Sequence, residues 1–278
     1  MRVIMALCMR NIKLFLRNRL QIILIIIMPL FYLYLLSAIF KSTNISNPTT
    51  YVLTGIIIIV VFQTSLNIAT STIDDIVNGY MKEILVSPIK RTQIVFGQIF
   101  SATIIATFQG IIILIIGYFI GLQYTTIWTP VFILLSMIFI GLVFSSFGLY
   151  LATSIKNSQT FQIASVAITT PITFLCGVYV PLSLLPKGLQ YIAFLNPMTY
   201  AASFFRTLSL EKMSMPVNDL VADQLALKLH NLVITPQMSF FIVLLFGVLF
   251  LFLCTISFVR VDFSKVNRSQ GAKDIYDQ

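Results

Sequence analysis

Charge is what this sequence lacks most. Only 10% of its 278 residues are charged, where a soluble domain carries about a quarter. There are nine acids and a single histidine, His230, and no charged side chain at all from Thr92 to Ile155. With 58% hydrophobic residues, the chain has more apolar surface than a water-soluble fold can bury, so the bilayer is its expected solvent. The same shortage excludes most catalytic equipment. No Gly-rich loop ends in Gly-Lys-Ser/Thr, so the chain is not expected to hydrolyse nucleotide itself. No His/Glu zinc helix and no pair of acids on one helix face occurs, and a Ser or Tyr nucleophile would find no base in the membrane interior. No catalytic residue and no metal ligand is expected. His230 stands alone in a polar segment and reads as a solvated side chain. Cys8, Cys176 and Cys254 are scattered among apolar residues, with neither metal-ligand nor disulfide-framework spacing, and read as small apolar fillers.

What is present is apolar runs separated by short polar breaks. Arg2 to Arg19 is the first unit: an apolar stretch, then Arg10, Lys13 and Arg17 on one helical face. This suits a helix lying in the headgroup layer over residues 1–19; the alternative is a basic tail that only sets topology. Leu20–Phe40 follows, uncharged and of spanning length, with a tolerable Pro29 inside. It begins too late and runs too long for a cleavable signal peptide. After a polar turn over Lys41–Thr50, the expected spans are Tyr51–Ile73, Ile94–Ile120, Pro130–Ser154, Thr160–Tyr179 and Met238–Val259. Between the last two lies an apolar stretch, 181–205, cut by Pro181, Pro186 and Pro197 into pieces too short to cross. Short helices that dip in and return are expected there, with a surface loop as the alternative. Residues 206–237 are polar, with a short surface helix expected over Asn218–Leu232, and 260–278 is a charged tail.

The fold class expected is therefore an all-α membrane protein in one transmembrane domain, 1–278. It has six transmembrane helices, an N-terminal amphipathic helix and re-entrant helices before the last span. The formal charge of +9 is concentrated beside the spans, which points to lipid headgroups and topology rather than to nucleic acid. With the N-terminus inside, thirteen of the Lys and Arg residues lie on the inner side and five on the outer. The positive-inside rule then makes both termini cytoplasmic and 206–237 extracellular. Residues 79–91 become a cytoplasmic island in which Lys82, Glu83, Lys90 and Arg91 flank an apolar Ile84, Leu85 and Val86. An apolar anchor with a charged rim suits protein docking; a turn resting on lipid is the alternative. The predicted cores hold no Asp, Glu, Lys, Arg or His, which disfavours an ion-driven carrier and suggests that the energy for any transport comes from outside the chain. A pathway of Ser, Thr, Asn, Gln, Phe and Tyr suits an amphipathic or apolar cargo better than a small ion.

Three stretches carry a family resemblance. They are Gly79–Arg91, Phe174–Pro186 with Gly177 before Val180 and Pro181, and Leu195-Asn196-Pro197-Met198-Thr199-Tyr200 followed by Phe205 and Arg206. In this order among six spans, the chain resembles the permease subunit of a type-2 ATP-binding-cassette (ABC) exporter, particularly the daunorubicin-resistance-like multidrug permeases. The resemblance implies a half-transporter that pairs with a second copy or a paralogue, each docked on a separate cytoplasmic ABC ATPase that binds the ATP. No cofactor is then needed in this chain. It implies a coupling helix in the island, with Gly79, Lys82, Glu83, Ile84, Leu85, Ser87 and Pro88 as ATPase-coupling residues. It places Gly177, Pro181, Pro186, Asn196, Pro197 and Tyr200 in an outer gate or re-entrant element. The cargo implied is an amphipathic drug, peptide or lipid-like molecule moved outward; a polysaccharide or wall-polymer exporter is the alternative, with a non-transporting membrane subunit or enzyme behind it. One departure is Asp75-Ile76-Val77-Asn78, where the family often has other charged residues before the loop glycine.

Overall fold

The computed structural model describes residues 2–40, 48–77, 80, 89–155, 157–229 and 232–260. The candidate coupling residues Gly79, Lys82, Glu83, Ile84, Leu85, Ser87 and Pro88 lie outside these residues, as do His230 and the tail beyond Arg260. The chain is built from helices α1 (Arg2–Arg17), α2 (Arg19–Phe40), α3 (Pro48–Val77), α4 (Arg91–Ile120), α5 (Thr129–Ser154) and α6 (Ser158–Leu175). A 3-10 turn at Leu182–Leu184 leads to α7 (Lys187–Leu195), α8 (Pro197–Ser209) and α9 (Val217–Ala222). Strands β1 (Leu227–Leu229) and β2 (Leu232–Ile234) precede the last helix, α10 (Pro236–Arg260). The nearly all-helical architecture agrees with the fold class expected from the sequence, with β1 and β2 the exception.

Four helices, α3, α4, α5 and α10, are each long and apolar enough to cross a membrane, and α1 with α2 passes the same test as a pair bent by 79°. The remaining long helix, α6, has 18 residues with Pro171 inside. It stops at Leu175 rather than at the expected Tyr179, because the chain turns at Gly177 with φ of +80°, a conformation that glycine reaches without a steric penalty.

The bundle is organised around α3. All of Tyr51–Phe62 is buried, as an all-round apolar helix must be. It packs against α2, α4, α5, α6 and α8, and Phe62 meets Phe144 of α5 edge to face with ring centroids 4.6 Å apart. At the other extreme is α10, of whose most apolar window only 17% is buried within the chain. Phe241, Leu244, Leu245, Val248, Leu249 and Phe252 are exposed at helical spacing on one side. Val243, Cys254 and Phe258 are buried on the other. The outer stripe is an apolar surface that this chain leaves uncovered.

Two expectations for the segment after α8 need correction. The boundary drawn between 205 and 206 is not an element boundary, since α8 runs on to Ser209 and Arg206 is only 2% exposed. The helix expected over Asn218–Leu232 stops at Ala222. Gln224 adopts φ of +57°, and the Leu225 and Ala226 amides turn back to the Leu220 carbonyl, which satisfies a helix end. The chain then forms an antiparallel hairpin that pairs Leu227 with Ile234 and Lys228 with Val233. Leu227 is buried while Lys228 is exposed, so period-two alternation took over from the helical one.

The hairpin end is tied to the α4–α5 connection by Glu211. Its carboxylate accepts from the Thr125 amide at 3.0 Å, the Thr126 amide at 3.1 Å and the Thr129 hydroxyl at 2.5 Å, and also from the Thr125 hydroxyl. Hydrogen bonds to the charged form, that from the Thr125 hydroxyl foremost, pull its pKa down from 4.5 to about 2. A folded pKa below the ordinary one means that the contact is fully formed above the ordinary value and is lost as pH falls toward about 2. Amide protection at Thr125 and Thr126, measured by hydrogen exchange, is expected to fall over that window. Glu211→Gln is expected to lower it about tenfold at neutral pH. Unchanged protection in the variant would show that Glu211 does not hold this connection.

Candidate functional site

A cavity of about 790 Å³ lies between α1, α2 and α3 and reaches α4 and, through Gln162, α6. Toward one end its α3 wall is polar, because Gln63, Asn67, Thr70, Ser71 and Asp74 recur there at helical spacing on one face, while Ile56, Ile59 and Val60 line the other end. Asn67 and Asp74 are exposed. Across from this stripe the α2 wall is Leu24, Met28, Pro29 and Tyr32. At Tyr32 the cavity meets Tyr179, the two ring centroids 5.7 Å apart. On the α4 side, Gln109 accepts a hydrogen bond from the Thr64 hydroxyl, while its side-chain nitrogen is buried with no partner. The cavity thus has one hydrogen-bonding wall and one apolar wall. Chemically it can hold a molecule with two unlike faces.

At the α1 end, the helix termini flanking residues 78–88 are cross-linked by polar contacts. Arg10 of α1 forms an ion pair with Asp75 near the end of α3, and its guanidinium lies over the Tyr80 ring, 4.6 Å from the centroid. The next residue, Asn11, is buried against α4 and donates to Gln98 at 2.7 Å and Ser101 at 2.8 Å. Asp74 accepts from the Ser158 hydroxyl at the start of α6. Arg91, first residue of α4, donates to the Val259 carbonyl of α10 at 2.7 Å. Ile89 packs on a cluster that includes Leu7, Ile73, Ile94 and Phe258. So α1, α3, α4, α6 and α10 are all tied at the borders of the loop.

At the hairpin end, the sequence-predicted residues come together at the junctions of α6, α7 and α8. Asn196 caps α8, accepting from the Met198 amide at 2.9 Å, and donates to the Ile172 carbonyl of α6 at 2.8 Å. Pro197 takes the first position of α8, where its missing N–H costs nothing. The Thr199 hydroxyl donates to the Ala193 carbonyl at 2.7 Å and the Tyr200 hydroxyl to Phe194 at 2.5 Å. Both carbonyls belong to the last turn of α7, where the α-helical pattern runs out; the Ala193 carbonyl also accepts from the Asn196 amide at 3.2 Å. Pro186 precedes α7 and is exposed, while Pro181 is buried before the 3-10 turn. A Cβ on Gly177 would stand 3.1 Å from Leu182, so the turn and the 3-10 segment fit closely.

Two functional pairs escaped the sequence reading. Arg10–Asp75 joins residues 65 apart, and Asp75 had been noted only as a departure from the family pattern. Arg206 and Tyr51 are 155 apart: the Arg206 Nη1 donates to the Tyr51 hydroxyl at 2.9 Å, and the guanidinium carbon sits 3.7 Å from the ring centroid. Gly55 leaves room for this arrangement, since a Cβ there would stand 2.7 Å from Nη2. The one available signal was a lone arginine in an apolar helical run.

Comparison with known proteins agrees with this geometry. The chain is 28% identical over 192 residues to the putative transport permease ycf38 of Cyanophora paradoxa, covering 66% of each. It is 28% identical over 157 residues to the inner membrane transport permease YadH of Escherichia coli, covering 56% of this chain and 60% of that protein. With the probable multidrug ABC transporter permease YbhR of Escherichia coli it shares 27% identity over 158 residues, 57% of this chain and 42% of the other. The matches thus span about two thirds or less of these relatives' lengths. The family model described as ABC-2 type transporter matches residues 2–210. With three quarters of its length so matched, the chain belongs to the ABC-2 type transporter family, and its long apolar helices are those of a multi-pass membrane protein.

Proposed function

We propose that this chain is the membrane-spanning half of an ATP-driven exporter. Two copies, or one copy and a paralogue, would each dock on a separate cytoplasmic ATPase through residues 79–91 and move an amphipathic drug, peptide or lipid-like cargo outward. The observation that carries this reading is the cavity of about 790 Å³ with its polar α3 wall and apolar α2 wall. An amphipathic molecule satisfies both walls at once, whereas a small ion would leave the apolar wall unused. The multidrug description of YbhR supports the same cargo class. The family membership and the positive-inside bias support cytoplasmic termini, and with them an island facing the ATPase.

In this mechanism the loop is a handle and α3 is the shaft. A force on the loop reaches α1 through Arg10–Asp75 and reaches α6 through Asp74–Ser158. Both α1 and α6 line the cavity, through Asn11 and Gln162 among others. Docking would therefore reshape the cavity by moving its walls together, with no charge crossing the apolar core. A polysaccharide or wall-polymer cargo is the second reading, favoured by the Tyr32–Tyr179 ring pair at one end of the cavity, since aromatic faces stack on sugars. Only Phe15, Tyr32 and Tyr179 supply rings to the lining, which gives the amphipathic cargo priority.

Three measurements test this. In liposomes with the cognate ATPase, Glu83→Ala and Leu85→Asp are expected to insert normally yet lower cargo-stimulated ATP hydrolysis by about tenfold or more. Wild-type stimulation in both would remove the loop as the docking element, and no effect of the subunit on hydrolysis at all would remove the transporter reading. Arg10→Asp and Asp75→Arg are each expected to lower stability by about 1–3 kcal/mol, and the double exchange to restore part of it in a thermal-unfolding cycle. Strictly additive losses would show that the pair carries no coupling. Finally, Asn67→Leu removes a hydrogen-bonding group from the middle of the α3 wall and is expected to raise the cargo concentration for half-maximal stimulation about tenfold. An unchanged value would place the pathway elsewhere.

A further inference from the structure

A second cavity, about 390 Å³, lies at the hairpin end, enclosed by Tyr51, the turn at Cys176 and Gly177, the α7–α8 segment and the strand residues Leu227 and Lys228. Arg206 lines it and is 2% exposed. Of its three guanidinium nitrogens, Nη1 is committed to the Tyr51 hydroxyl, while Nε and Nη2 are buried with no hydrogen-bond partner. Those two nitrogens form one edge of the guanidinium, the fork whose parallel N–H bonds match two oxygens of a phosphate or carboxylate. Arg206 is a fixed cation, because guanidinium does not release its proton in proteins. A buried cation with a vacant fork is expensive unless an anion completes it.

The surroundings select for such an anion. The lining includes a second cation, Lys228, exposed on the hairpin, and no Asp or Glu is among the described lining residues. The nearby acid, Asp223, is already paired with Lys212. Apolar side chains such as Leu182, Phe194 and Val221 form part of the wall, so the occupant has an apolar part next to its charged head. The Tyr51 ring under the guanidinium stabilises the cation by its π face and holds the fork in place. The volume suits a headgroup and the start of a chain rather than a whole amphiphile.

We propose that this cavity is a binding site for the anionic phosphate oxygens of an amphiphile, held by the Arg206 guanidinium with Lys228 at the mouth. It is separate from the larger cavity on α3 and does not depend on the export reading. Two sources could supply the chemistry, a phospholipid headgroup or free phosphate, and the test separates them. The protein is purified in dodecyl maltoside, which carries no phosphate, and its thermal unfolding is followed with a thiol-reactive dye that reports exposure of the buried Cys8, Cys176 and Cys254. Phosphatidylglycerol or inorganic phosphate is then added, with chloride at equal ionic strength as the control. Wild type is expected to unfold at a higher temperature with phosphatidylglycerol than with chloride, and native mass spectrometry is expected to show the lipid retained. A shift with inorganic phosphate alone would assign the site to the free anion.

Arg206→Gln is expected to weaken the lipid's apparent affinity about 10- to 100-fold, the worth of hydrogen bonds to a charged group. Arg206→Lys keeps the charge without the fork and is expected to recover only part of it. Should the Arg206 variants fail to fold, Lys228→Glu reverses the charge at an exposed position and is expected to weaken retention about tenfold. The proposal is overturned if neither phosphate source shifts wild type beyond chloride. Equal shifts in wild type, Arg206→Gln and Lys228→Glu would overturn it as well, and would mean that water fills the fork.

Discussion

In hydrocarbon an ionised side chain needs a partner and a broken helix needs a substitute for each freed backbone group. This chain meets both demands by using α3 as the common element. Twelve consecutive buried residues, Tyr51–Phe62, make α3 the axis of the bundle. Its two ends hold the polar work: Tyr51 seats the Arg206 guanidinium at one, and Asp75 pairs with Arg10 at the other. Those positions are 24 residues apart, which at helical rise is about 36 Å, a little more than the hydrocarbon thickness. Charge is thus kept to the two ends, while the shaft between them carries uncharged polar and apolar groups on its cavity face. The cavity, the loop and the hairpin are each positioned by reference to this one helix.

The helical core was legible because lipid leaves the chain few choices. A run such as Thr92–Ile155, without a charge and broken only near Gly121–Thr129, can only become two spans with a tight connection, and α4 and α5 end there. The Asn196-Pro197 corner was legible as a break, since proline interrupts a helix at a known place. Its chemistry was not, because it depends on carbonyls supplied by α6 and α7. The hairpin was misread for a related reason: Leu227–Leu229 and Leu232–Ile234 suit either periodicity, and the choice was made by the positive φ at Gln224 and the burial of Leu227. Arg206 was assigned to solvent on composition alone. Only a tertiary partner, Tyr51, keeps it inside.

The departure at Asp75–Asn78 takes on a different meaning once Arg10 is placed. In the sequence, Asp75 stood only as part of a departure from the family pattern. In the fold it is spent internally, binding α1 to α3, while Asp74 binds α6 to α3. Adjacent acids on a helix point about 100° apart, so two consecutive residues can secure two different helices at the border of one loop. That arrangement favours transmission over adhesion. A loop whose flanks were free could dock tightly and still move nothing, whereas one whose flanks are tied to α1, α6 and α10 must carry those helices with it. Under the proposed function, the short polar island between two apolar spans is understood through its borders: its sequence would suit docking, and the residues on either side of it would determine which helices docking moves.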